Sequence, residues 1–140
     1  MTMPPSPAAP LDLEPLLAAV RFDGAGLVPA IAQQADTGEV LMMAWMNRDA
    51  VIETVTTGRV CYWSRSRGAL WRKGESSGQS QHLKELRIDC DGDTLLVLVE
   101  QEGVACHTGR RSCFYRAWRD SGLATVMPVT TDPDELYRSR

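Results

Sequence analysis

The run Leu95-Leu96-Val97-Leu98-Val99 constrains this chain more than any other stretch. Five aliphatic residues without a polar interruption read as a core strand, and a core strand demands a sheet around it. Just before it, Asp91-Gly92 is a hairpin signal. Residues 82–89 alternate imperfectly, with Leu83, Leu86 and Ile88 apolar.

The remaining elements are read the same way. Residues 28–32 form a first buried strand, and Asp36-Thr37-Gly38 marks a turn. Residues 40–46 are a nearly continuous apolar run that suits either a buried strand or a helix, and the preceding turn favours a hairpin. Asn47 offers an N-cap oxygen, Val51, Ile52 and Val55 recur at helical spacing, and Gly58 is placed to end that helix. Residues 13–20 suit a short helix. Residues 60–64 return to strand chemistry, with Cys61 in the core. The Gly- and Ser-rich stretch 68–78 reads as a loop broken by Leu70 and Trp71. Residues 113–118 are expected to form the last core strand. The sum is a β-rich α+β domain.

With 140 residues the chain has the size of a single domain. No apolar run approaches the ~18 residues that span a bilayer, so no membrane association is expected. Residues 1–10 carry several prolines but no cationic start followed by an apolar stretch. They read as a flexible leader rather than a secretory signal. A cytoplasmic, reducing location follows, where four cysteines are thiols or metal ligands rather than disulfides.

A net charge of −3 and a pI near 5.3 argue against a nucleic-acid partner. Charge is nevertheless sharply separated. Arg59, Arg65, Arg67, Arg72 and Lys73 fall in a stretch with no acid, whereas Asp89, Asp91, Asp93, Glu100 and Glu102 fall in one with no base.

Three clusters carry possible chemistry. In Asp89-Cys90-Asp91-Gly92-Asp93, three crowded carboxylates repel one another unless a cation neutralises them, and their oxygens suit a hard ion such as Mg²⁺ or Ca²⁺. A solvated acidic turn is the bland alternative. An EF-hand fails, because Thr94 stands where that loop needs Gly and a strand follows.

The second cluster is Cys106-His107-Thr108-Gly109-Arg110-Arg111-Ser112-Cys113. With Cys90 it offers three thiolates that could meet on one Zn²⁺ and leave a fourth position for water. Small buried hydrophobes are the alternative for each cysteine taken alone. His107, beside a candidate ligand, suits either a general base or the fourth ligand.

The third cluster holds Arg65, Arg67, Lys73, Ser76 and Ser77 among Trp63 and Trp71. It suits phosphate groups, stacked single-stranded bases or an exposed cationic hairpin.

Five stretches together resemble the phosphoribosyl-AMP cyclohydrolases of histidine biosynthesis. They are residues 38–47, 62–67, 71–78, 89–93 and 105–114, in family order. The resemblance covers roughly residues 22 to 118. It implies a leader at 1–20, a catalytic domain at 21–118, a tail at 119–140 outside the similarity, and a monofunctional protein. It further implies zinc on Cys90, Cys106 and Cys113, one ion per subunit, with Cys90 donated across an intertwined, domain-swapped homodimer. Magnesium on Asp89, Asp91 and Asp93 is implied as well, with His107 in the catalysis. The implied reaction is zinc-dependent hydrolysis of the N1–C6 bond of 1-(5-phosphoribosyl)-AMP. The cationic run, Arg110 and Arg111 would then meet the two substrate phosphates. A zinc base deaminase is excluded, because it needs an H-x-E and a P-C-x-x-C that are absent. A zinc-stabilised single-stranded RNA-binding module is the remaining alternative.

Overall fold

A computed structural model describes residues 12–136, so the expected leader at 1–10 lies outside the described residues. Eleven elements follow in order. They are α1 (Glu14–Ala19), β1 (Val28–Gln34), β2 (Val40–Met46), α2 (Arg48–Thr57), β3 (Cys61–Ser64), β4 (Ala69–Arg72), β5 (Gln81–Ile88), β6 (Leu95–Gln101), β7 (Arg116–Arg119), β8 (Gly122–Thr125) and α3 (Pro133–Leu136). The fold is a small, strand-rich α+β domain.

Six strands make one sheet in the order β4-β3-β2-β1-β6-β5. At its centre β1 and β6 run parallel, Ala30 opposite Leu95 and Ala32 opposite Val97. The other pairs are antiparallel. Side chains alternate across a strand, so Val28, Ala30 and Ala32 share one face with Leu95, Val97 and Val99, and all six are buried. Helix α2 lays Ala50, Val51 and Thr54 on this core. Its ends are as expected: the Asn47 side chain accepts from the Ala50 amide, and Gly58 closes the helix in the left-handed region. Leu17 of α1 and Val20 join the same core.

Two expectations need correction. Residues 69–72 are not loop but the edge strand β4, paired with β3 from Cys61↔Arg72 to Ser64↔Ala69. Leu70 and Trp71 pack against the core there, which repays strand formation despite the flanking glycines. Residues 113–118 are not a core strand either. Arg116–Arg119 pairs only with Gly122–Thr125 in a separate two-stranded ribbon. Asp120 turns that ribbon at φ 55°, and Trp118 and Leu123 stand 70% and 67% exposed. Asp120-Ser121 joins the two strands of that ribbon, and Arg116 and Arg119 at the ends of the first are exposed, which suits a surface ribbon better than a core strand. The ambiguous run 40–46 is a strand, hydrogen-bonded to β1 on one side and β3 on the other.

Candidate active site

The acidic turn joins β5 to β6. Asp89 Oδ1 accepts from the amides of Asp93 (3.0 Å) and Thr94 (3.2 Å), which fixes the Asp89 carboxylate across the turn. Oxygens of Asp89, Asp91 and Asp93 lie within 4.8 Å of one another. The crowding divides them electrically. Hydrogen bonding to Asp91 and then Asp89 lifts the Asp93 carboxyl above its usual range. Asp89 works against some burial, yet the Asp93 side chain and the Thr94 and Asp93 amides hold it low. Gly92 has φ +79°, and a Cβ there would meet the Ala19 carbonyl oxygen at 2.4 Å. The end of α1 therefore sits directly on this turn, where the Arg21 amide donates to the Gly92 carbonyl at 2.7 Å.

Cys106 lies in the loop that leaves β6. The amides of Ala105 and Cys106 donate to the carbonyls of Arg111 (3.0 Å) and Arg110 (3.1 Å), and Gly109 N–H closes the turn on Cys106 O at 3.0 Å. This folds the loop back so that Cys106 and Cys113 are neighbours. Burial of its protein side pushes the Cys113 thiol up to about 12, with Cys106 adding to the shift and Lys73 opposing it. The Thr108 hydroxyl donates to Cys106 Sγ at 3.0 Å. Cys106 is buried and His107 is exposed. Cys90 is exposed on the acidic turn. Among the described residues, the aspartates are the one group of three or more candidate ligands that converges. Within a single chain, then, Cys90 does not join Cys106 and Cys113.

The cations divide into two sets. Arg65 and Arg67 are exposed on the β3–β4 turn, with the Arg65 guanidinium 4.8 Å from the Trp45 ring. Ser76 is exposed, and buried Ser77 accepts from the Gln79 amide. Arg110 and Arg111 are engaged within the chain. Arg110 donates to Met127 O and stacks on Tyr115 at 4.0 Å, while Arg111 bonds Glu39 at 3.2 Å and Gly103 O at 2.6 Å. Lys73 is half-buried and donates to Ala105 O at 2.6 Å. Arg72 makes a two-point pair with Glu53, both contacts 2.7 Å, and this hydrogen bonding holds the Glu53 carboxyl low. The pair lines a 290 Å³ depression with Thr57, Arg59, Lys73 and Glu75.

Beneath the loop lies a buried amide network absent from the sequence reading. Tyr62 donates to Gln81 Oε1 (2.7 Å), and Gln81 Nε2 donates to Gln101 Oε1 (2.8 Å). Gln101 Nε2 in turn reaches the carbonyls of Gln79 (3.0 Å) and Glu102 (2.8 Å). Gln79 Oε1 accepts from Val104 N at 2.9 Å, which ties the 74–80 segment to the Cys106 loop. A signal for this did exist. Gln101 continues the buried-face period of Val97 and Val99, and Gln34 that of Ala30 and Ala32. Cys61 is core as expected, its thiol raised to about 12 chiefly by burial.

The phosphoribosyl-AMP cyclohydrolase family model matches residues 42–115, a span that holds the acidic turn, all three candidate thiols and His107. The chain belongs to the phosphoribosyl-AMP cyclohydrolase family. Three proteins of that name illustrate the closeness. The one from Rhodospirillum centenum is 70% identical over 125 residues, covering 89% of this chain and 94% of that protein. The one from Paramagnetospirillum magneticum is 66% identical over 128 residues, 91% of this chain and 97% of its own. The one from Alkalilimnicola ehrlichii is 63% identical over 131 residues, 94% of this chain and 92% of its own. The chain is thus an enzyme of the cyclohydrolase family, and the RNA-binding alternative is not favoured. Trp71 tilts against Tyr62 at 5.4 Å and packs on the core instead of offering a free stacking face. Among the described residues no helix is long and apolar enough to cross a membrane.

Proposed function

We propose that this chain hydrolyses the N1–C6 bond of 1-(5-phosphoribosyl)-AMP in cytoplasmic histidine biosynthesis, yielding the formimino aminoimidazole carboxamide ribonucleotide. The observation that carries the reading is the folded-back loop that sets Cys106 beside Cys113 and leaves His107 open to solvent.

The donor sets fit two different ions. Paired thiols suit zinc, and three converging carboxylates suit a hard divalent ion such as Mg²⁺. Zinc needs one more protein ligand, and in this reading it is Cys90 of the partner subunit, so that an intertwined homodimer holds one zinc per subunit. Two features support that assembly. Cys90 is exposed rather than packed in its own chain. Beside its turn, the sheet face opposite the core carries the apolar row Met43, Ile31 and Leu96 in register, with Met43 45% exposed. Ile31 and Leu96 line a 310 Å³ depression there together with Arg87, Asp89 and Thr94.

Zinc held by these thiols supplies a Lewis acid that activates water near neutral pH. The substrate helps, because ribosylation of N1 leaves the amidine cationic and C6 electrophilic. His107 takes a proton from the attacking water and returns it to N1 as the N1–C6 bond breaks. The water oxygen ends on C6 as the carboxamide carbonyl. One water proton ends on N1 in the formimino group, and the other is released to solvent, which discharges the cationic amidine. Arg65, Arg67 and Ser76, all open to solvent, meet the phosphates.

Metal analysis of the purified protein, paired with an assay that follows the absorbance change as the purine opens, tests this reading. Cys106→Ser is expected to lose zinc and turnover together. A zinc-free Cys106→Ser protein with parental turnover would overturn the zinc dependence.

A further inference from the structure

Lys73 differs from the other cations of its run. Strand alternation sends Arg72 outward to Glu53, so the next side chain points the opposite way. The Lys73 backbone is held by its amide on Val60 O at 3.0 Å. From there the ammonium reaches the Ala105 carbonyl at 2.6 Å, the group immediately before Cys106, and lies 5.6 Å from the Trp71 ring centroid. Among the described residues it forms no ion pair with a carboxylate. Lys73 shares the depression that holds Glu53 and Glu75, but neither carboxylate pairs with its ammonium. A half-buried ammonium bonded only to a neutral carbonyl and set against a ring face is costly, and such a charge persists where an anion offsets it. The groups beside it that can carry negative charge are Cys113 and Cys106.

We propose that Lys73 is the counter-charge of the Cys106–Cys113 thiolate pair and, through the Ala105 carbonyl, the positioning residue of the loop that carries Cys106. This rests on the reading of those thiols as zinc ligands. Three thiolates around a divalent ion leave one net negative charge, and Lys73 brings the centre to neutrality. Partners of this kind outside the ligand shell tune metal affinity. The role is separate from phosphate binding, since the ammonium is directed into the loop.

Lys73→Gln isolates the charge, because the amide can still donate to Ala105 O. Zinc affinity is read by competition with a chromophoric chelator, and thermal unfolding of the metal-free forms reports the fold. The expected result is zinc binding weakened about 10- to 100-fold with the fold intact. Lys73→Arg, which restores the charge, is expected to bind zinc more tightly than Lys73→Gln. A glutamine variant that binds as tightly as the parent, or an arginine variant no better than glutamine, overturns the proposal. Failure of the underlying reading looks different, since the parent would then bind no zinc or Cys106→Ser would retain it. On the unsubstituted protein, amine acetylation read by mass spectrometry uses exposed Lys84 as internal reference. Added zinc is expected to slow acetylation at Lys73 relative to Lys84, and an unchanged ratio would also overturn the proposal.

Discussion

Cys106 and His107 are adjacent in sequence yet opposite in surroundings, one buried and the other in solvent. A loop that buries its thiol while presenting its imidazole suits proton transfer better than a fourth coordination bond. Under the proposed zinc site, His107→Ala should retain the metal and lose kcat by ~10²–10⁴. Steady-state kinetics alongside metal content check this, and loss of the metal would make His107 a ligand instead. The acidic cluster was legible because its proximity is local: alternate residues at one turn cannot be far apart. Lys73, Arg110 and Arg111 were legible as cations but not in their partners. Arg111 meets Glu39 from across the chain, and Lys73 meets a backbone carbonyl thirty-two positions away, which no residue pattern encodes.

Elements were legible where local chemistry and tertiary demand agree. Residues 48–57 have a capping Asn, a helical stripe and a terminal Gly, and α2 forms there. Where the two diverge, the local pattern misleads. β4 exists because β3 offers an edge and the core accepts Leu70 and Trp71, whereas its own flanks are turn-rich. Phe114, Tyr115, Ala117 and Trp118 make residues 113–118 look like a core strand. The arginines at both ends of β7 stay exposed, however, and β7 pairs only across its own turn. The contact of α1 with the acidic turn shows how a remote element sets a site. At Gly92 an added methyl would both strain a left-handed backbone and press on the Ala19 carbonyl. Gly92→Ala should cost about 1–3 kcal/mol of stability, measured by equilibrium denaturation. Gly24→Ala, with nothing within 4 Å of its Cβ and no positive φ, is the matched control and should be nearly neutral.

At the scale of the molecule, the separated thiols become the central constraint. Cys106 and Cys113 are brought together by backbone hydrogen bonds within one loop, but Cys90 belongs to a different turn and does not converge with them in the chain. A shared site makes a sharp prediction from symmetry alone. In a two-fold dimer each site takes Cys90 from one subunit and the Cys106–Cys113 pair from the other, so a Cys90→Ser homodimer and a Cys106→Ser homodimer are both dead. Their heterodimer differs: one of its sites collects both substitutions, and the other collects none. Random exchange of equal amounts should thus restore roughly a quarter of parental turnover, half of the molecules each carrying one of two sites. Native mass spectrometry establishes that heterodimers have formed, and turnover is then read on the same mixture. Proven heterodimers without recovered activity would sink the proposed shared site.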